Sequence, residues 1–296
     1  MANVAICTPH AGRVPPEYYR NVLSMQGQPD GLKHRFFHVE IDHAIVGKAR
    51  NVCMETARAN VKDLDVIWFI DDDVLVPPHA GKIVDEAMQL GVVSGLYFNR
   101  HNPYTPQIYR RATEVEYVGP NVMYWPIMEY PEGLMMVDAC GGGCLAVRTD
   151  VLTKLEAHAA AQKQGLDAAL ADVQGVLDTI QTIDYPEFAE GLKSASLHAG
   201  RSLLELFNHR PVMSPFFEFT DAKGEDMYFC EKTREIGQVT WCDTTIKCGH
   251  LSSIPIDETH FKFLKENNMI RIIGADGQPI GSAKAVEQAA PMKEAE

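Results

Sequence analysis

Long apolar runs are missing from this sequence. No stretch approaches the roughly 20 residues that a membrane-spanning helix needs. The first residues show no basic-then-apolar signal pattern either, so a cytoplasmic location is expected, with no membrane partner. Positive charge is scarce: 27 Lys and Arg face 40 Asp and Glu, a net charge of −13. That balance argues against a broad phosphate-binding surface and against a basic nuclease, although a local basic groove stays open. Cysteines number seven, and the spacings Cys140-x3-Cys144 and Cys242-x5-Cys248 suit neither a disulfide framework nor the usual zinc sites. Reduced, buried thiols are expected. A P-loop is absent too, because Gly141-Gly142-Gly143 lacks the Lys-Ser/Thr ending. Three glycines there imply a sharp turn or a close backbone approach to a ligand.

The strongest positive feature is Val66-Ile67-Trp68-Phe69-Ile70 followed by Asp71-Asp72-Asp73. Five apolar residues bounded by charge read as a strand covered on both faces. Its acids then lie at the carboxyl end, where open α/β sheets bind ligands. If strand alternation continues, Asp71 and Asp73 face one way and Asp72 the other. Such an Asp-x-Asp pair suits a hard divalent cation holding a diphosphate. A bare triplet also suits a solvated acidic turn.

Strand and helix patterns alternate around it. Val4–Cys7 and Arg35–Asp42 read as strands, and Val46–Asn60 carries helical spacing. Pro77 and Pro78 open a further helix that Gly91 can end, and Val92–Phe98 follows as a strand. This order predicts a parallel, nucleotide-type α/β sheet. Glu114–Val118 and Val122–Trp125 suggest a hairpin; Leu134–Ala139 and Cys144–Val147 flank the three glycines as strands. Residues 150–212 read as an inserted helical subdomain, broken at Tyr185-Pro186, whose apolar stripes suit packing or self-association into a homo-oligomer. Short strands are expected at Val239–Cys242 and Thr245–Cys248. The expected organisation is therefore an α/β half at 1–149, the helical insertion at 150–212, a part completing the same domain at 213–280, and a disordered tail at 281–296.

Two later elements carry chemistry. Gly224-Glu225-Asp226 precedes a helical pattern from Met227 to Ile236 that Gly237 can end. Acids there favour the helix dipole, and a carboxylate so held can also take a proton from a hydroxyl. His250 follows a short strand, as a hydrogen-bonded surface residue or a metal ligand.

Taken in order, Thr8-Pro9, Arg50-Asn51, Ile70–Val74, the glycine-rich Gly141–Arg148, Gly224–Asp226 and Gly249-His250 resemble the GT-A glycosyltransferases, particularly those similar to family 2. The match runs from about Ala2 to Ser253, outside the helical insertion. The resemblance implies a Rossmann-like mixed sheet flanked by helices. It implies a nucleotide-diphosphate sugar donor, a UDP-sugar being favoured, with Mn²⁺ or Mg²⁺. Carried to matching positions, Asp71, Asp73 and His250 would serve the metal. Thr8, Pro9, Arg50, Asp71 and Asp72 would border the donor. Asp226, with Glu225 beside it, would be the base that activates an acceptor hydroxyl in an inverting transfer. The helical insertion departs from that pattern, so the acceptor does not carry over: a saccharide, a protein, a small molecule or a modified DNA base of phage type all fit. Arg100, Arg110 and Arg111, interleaved with Tyr97, Tyr104 and Tyr109, would suit a donor phosphate or nucleic acid. The alternatives are a sugar-nucleotide nucleotidyltransferase, for which Thr8–Arg13 is a poor first loop, or a non-catalytic nucleotide-sugar-binding protein.

Overall fold

Strand β1 (Asn3–His10) is bracketed by β2 (Arg35–Asp42) on one side and β3 (Val66–Ile70) on the other, both parallel to it. Between them run α1 (Pro16–Gln26) and α2 (Val46–Asn60), the latter as expected from its spacing. Helix α1 escaped the sequence reading, yet its signals are present. Proline stands in its first turn, and Tyr18, Val22 and Met25 recur at helical spacing and are buried. The computed structural model describes residues 1–43, 45–100, 104–112, 124–182, 187–208, 214–220, 223–251 and 257–266.

Beyond β3 come the two-residue strand β4 (Val74–Leu75), α3 (Lys82–Leu90) and β5 (Val92–Leu96). Gly91 ends α3 at φ 91°, a conformation that favours glycine. Then follow β6 (Ile108–Arg111), β7 (Tyr124–Pro126), β8 (Leu134–Val137), β9 (Ala139–Cys140) and β10 (Cys144–Arg148). Helices α4 (Thr149–Thr182) and α5 (Glu187–Asn208) occupy the Ala- and Leu-rich stretch. Helix α6 (Glu225–Glu235), β11 (Thr240–Lys247), β12 (Gly249–His250) and α7 (Glu258–Glu266) complete the described chain.

The main sheet has seven strands in the order β2-β1-β3-β10-β5-β11-β8. It is mixed. β10 inserts antiparallel between β3 and β5, and β8 lies antiparallel to β11. The strands of the first hundred residues, β1, β2, β3 and β5, run the same way, as their alternation with helices predicts, and β10 and β8 running against them give the mixed sheet that the resemblance implies. The glycine-flanking strands do not pair with each other. The expected strand Leu134–Ala139 breaks at Asp138 into β8, in the main sheet, and β9, in a small sheet ordered β7-β6-β9. The two short strands expected near Val239 and Thr245 are one strand, β11, with a register shift between Asp243 and Lys247.

Strands β1, β2, β3, β5, β10 and β11 feed two cores, and the edge strand β8 feeds one. Ile67 and Phe69 of β3 pack with Cys53 and Met54 of α2, Leu152 of α4 and Phe229 of α6. Val66, Trp68 and Ile70 pack with Tyr18 of α1 and Ile83 of α3. Both faces being covered explains why β3 reads as an unbroken apolar run. Helix α4 docks through Val151, Leu152 and Leu155, all buried, while most of its later residues are exposed. Leu177 of α4 meets Gly200 of α5 so closely that a side chain at 200 would clash. All seven cysteines are free and buried. Among the described residues no helix is long and apolar enough to cross a membrane. Of the expected hairpin, Glu114–Val118 and its turn lie outside the described residues, while Tyr124 and Trp125 of the second arm fall in β7 and pair with β6. The break at Tyr185-Pro186 and the tail at 281–296 also lie outside the described residues.

Candidate active site

The aspartate triplet sits where β3 stops, at Ile70. Residues 71–73 form a turn, closed by a bond from Val74 N–H to Asp71 O at 3.0 Å. Strand alternation therefore does not extend through the triplet, and Asp71 and Asp73 take different partners.

Asp71 belongs to Arg50. The guanidinium of this α2 residue is buried; Nη2 donates to Asp71 Oδ2 at 3.0 Å, and Nη1 lies 2.9 Å from Oδ1. Nη1 also donates to the Gly142 carbonyl at 3.0 Å, and Nε to Glu225 Oε1 at 3.4 Å. Phe69 and Phe217 face the guanidinium at 5.7 and 5.9 Å. One cation so ties together α2, the end of β3, the glycine segment and the start of α6. Burial opposes the charge on Arg50, but Asp71 and Glu225 outweigh it and hold the proton firmly. The neighbouring Asn51 clasps the Phe217 backbone from both sides, donating to its carbonyl at 2.7 Å and accepting from its N–H at 3.2 Å.

The three glycines are explained by this packing rather than by backbone freedom. A Cβ on Gly142 would lie 2.7 Å from Arg50 Cζ. One on Gly143 would lie 2.9 Å from Tyr97 Cζ, and one on Gly141 would collide with Tyr97 Oη. The Gly143 N–H donates to Tyr97 Oη at 2.9 Å. The close approach anticipated from the sequence is to the protein's own Arg50 and Tyr97.

Asp73 is brought to His250 by a short ladder. β12 pairs antiparallel with β4, setting His250 opposite Val74, and Leu251 N–H donates to Asp73 O at 2.6 Å. His250 Nε2 then lies 3.2 Å from Asp73 Oδ2, while Nδ1 is 2.7 Å from Phe98 O and fixes the ring. Tyr97 packs edge-on against the imidazole at 5.8 Å. Arg100 Nη1 reaches the same Asp73 Oδ2 at 2.5 Å. Burial pushes the Asp73 carboxyl up, but His250 and Arg100 outweigh burial and hold it below the usual range. Asp72 differs: burial, then the charges of Asp73 and Asp71, raise it to about 6.

At the start of α6, Glu225 is buried, fits against Gly47 of α2 and takes the Arg50 contact. Asp226 is partly buried, and its Oδ1 accepts the Met227 N–H at 2.7 Å. Burial first, then the charge of Glu225, raises Asp226 to about 6. Thr8 and Pro9 are buried at the end of β1, and the Thr8 hydroxyl bonds Tyr18 Oη. Arg50, Asp71, Asp73, Glu225 and His250 are thus linked, directly or through the triplet's turn, whereas Thr8 is turned to α1. Phe217 and Gly47 were not singled out from the sequence; a lone Phe and a helix glycine carry no local signal of a role.

Among the described residues no three His, Cys, Asp or Glu side chains form a cage for a metal. Mg²⁺ or Mn²⁺ on a diphosphate needs only one or two protein ligands, the rest being phosphate oxygens and water. Asp73 and His250 fit that requirement. Asp71 does not, because both of its oxygens face the buried Arg50 guanidinium.

No protein-family model matches this sequence, and no curated protein does. Among solved structures, A197 from STIV covers 99% of this chain and 100% of its own at 14% identity, with a TM-score of 0.44. A glycosyltransferase involved in glycosylation of the major capsid of PBCV-1 covers 52% of this chain and 63% of its own, at 12% identity and a TM-score of 0.27. A candidate glucose-1-phosphate thymidylyltransferase from Bacillus anthracis, in complex with sucrose, covers 53% of this chain and 74% of its own, at 12% identity and a TM-score of 0.26. With TM-scores below 0.5, all three are remote likenesses, and the functional reading rests on the side chains gathered at the end of β3.

Proposed function

We propose that this protein is a metal-dependent glycosyltransferase that moves a sugar from a nucleotide-diphosphate sugar to an acceptor hydroxyl, with inversion. The observation that carries the reading is the pairing of Asp73 with His250 at the end of β3, beside the Arg50–Asp71–Glu225 network that fixes the start of α6. Asp73 and His250 would hold the cation, and Asp71, held by Arg50, would lie nearer the ribose or a metal-bound water. When bound, that cation would neutralise charge on the departing diphosphate. Arg50 holds Asp71 and Glu225 in place. Asp226, one residue on from Glu225, would take the acceptor's proton as its oxygen attacks the anomeric carbon. Residues 1–149 would serve the donor and 213–280 the acceptor.

The test is a donor screen with Mn²⁺ and a panel of UDP-, GDP- and TDP-sugars. Slow release of nucleoside diphosphate, abolished by chelation, is the expected result. Release of pyrophosphate from a nucleoside triphosphate and a sugar phosphate would replace this reading with nucleotidyl transfer. Binding of a nucleotide sugar with no turnover under any acceptor would reduce the protein to a binding module.

A further inference from the structure

Asp73 carries two nitrogen partners on one oxygen, and the proposed metal would make a third. His250 Nε2 lies 3.2 Å from Asp73 Oδ2, and Arg100 Nη1 lies 2.5 Å from the same atom. The two partners are held very differently. The His250 side chain is only 12% exposed; its Nδ1 bonds Phe98 O, and Tyr97 covers its edge. The Arg100 side chain is 48% exposed, and its contact with Asp73 is an exposed ion pair.

The backbone around Arg100 has a fixed base. Asn99 N–H donates to Thr105 O at 2.9 Å, Gln107 N–H to Tyr97 O at 2.9 Å, and Phe98 bridges Pro106. The guanidinium therefore pivots from an anchored point next to Phe98, the residue that also orients His250. A guanidinium cannot shed its charge by losing a proton, so it cannot share Asp73 Oδ2 with a divalent ion. It has to swing away. Its five donors match phosphate oxygens, and a diphosphate held by a metal on Asp73 would lie within reach of the swing.

We infer that Arg100 is a place-holder: it occupies the cation position on Asp73 before the donor arrives, and passes to the donor's diphosphate when the metal takes that position. This rests on the proposed function and adds to it a positioning residue with two opposing duties. As a competitor it weakens metal binding by the apo protein. As a phosphate ligand it strengthens nucleotide binding to the metal-loaded protein.

The opposing signs make the test. Mn²⁺ binding to the purified wild-type protein and to Arg100→Met is measured by electron paramagnetic resonance, without nucleotide. Binding of UDP, GDP and TDP is then measured by calorimetry at saturating Mn²⁺. The substitution is expected to tighten Mn²⁺ by about three- to fivefold, the span of an exposed ion pair. It is expected to weaken the nucleotide that the wild type prefers by about ten- to a hundredfold, as for a lost charged hydrogen bond. Arg100→Lys should keep most of the competition with Mn²⁺ and lose most of the nucleotide gain, because an ammonium lacks the fork. Unchanged or weaker Mn²⁺ binding in Arg100→Met, or unchanged nucleotide binding, overturns the place-holder and leaves the glycosyltransferase reading standing. A wild type that binds neither Mn²⁺ nor any of the nucleotides overturns both.

Discussion

Burial and the neighbouring charge of Glu225 raise Asp226 to about 6, so its carboxylate is a working base only above that pH. As pH falls through about 6 the group gains a proton, and kcat/KM for transfer is expected to drop by about tenfold per pH unit. Asp226→Asn keeps the shape but removes the base. It should lower kcat by about a hundred- to ten-thousandfold while the affinity for nucleoside diphosphate with Mn²⁺ stays near wild type, as calorimetry would show. Near-normal turnover in that variant would remove Asp226 from the mechanism. Glycines make a second contrast between single positions. At Gly142 a Cβ would press on the Arg50 guanidinium, so Gly142→Ala should cost about 1–3 kcal/mol of stability in urea denaturation and weaken nucleotide binding with it. At Gly175, exposed in α4 with nothing within 4 Å of the added atom, the same change should be neutral or stabilise by up to about 1 kcal/mol.

The contact between α3 and β11 holds a titrating group outside the candidate site. Lys82 of α3 meets Asp243 of β11 and donates to Thr245 Oγ1 at 2.5 Å. Lys82 also lies 3.8 Å from Glu86 Oε1, so Glu86 and Asp243 stand against one ammonium, and Glu86 Oε2 is buried without a hydrogen-bond partner. Burial, then the charge of Asp243, raises Glu86 to about 8. The folded state thus keeps a proton that the unfolded chain releases near its ordinary value of 4.5. The stabilisation is complete below that ordinary value and is lost as pH rises through about 8. The urea midpoint of the wild type is expected to fall between about pH 5 and pH 9, and Glu86→Gln should flatten that slope. An unchanged slope would place the titration elsewhere. Among the elements themselves, α2 and β3 were legible because their periods are local. β10 was legible as a strand but not in its direction, since nothing in Cys144–Arg148 states which way a buried strand runs. The break at Asp138 was equally hidden: β8 and β9 differ in the sheet that receives them, not in composition.

At the scale of the whole molecule, no described contact joins the helical pair to Arg50, Asp71, Asp73 or His250. α4 is held to the rest of the chain through Val151, Leu152 and Leu155, and His158 and Gln162 approach Glu235 of α6 at 3.3 and 3.4 Å. Farther on, its described packing is with α5, as at Leu177 and Gly200. Replacing residues 172–205 by a short glycine-serine turn should leave Mn²⁺-dependent nucleotide affinity within about twofold, because distant sites act independently. Light scattering on the same variant reads the proposed self-association: a smaller particle than the wild type assigns it to the helices, and an unchanged one removes it. Local patterning was enough to place an acid-tipped buried strand, a helix carrying Arg50 and a helix starting at Glu225 or next to it. Pattern and spacing act over one or two turns or pleats, so they reach that far and no farther. Which carboxylate meets which cation was decided only on folding. The Arg50 contacts to Asp71 and Glu225 span 21 and 175 positions, and the β4–β12 ladder alone carries His250 to Asp73. Such pairings depend on sheet order and on the glycines that let Arg50 and Tyr97 come close, and neither is written in any one segment.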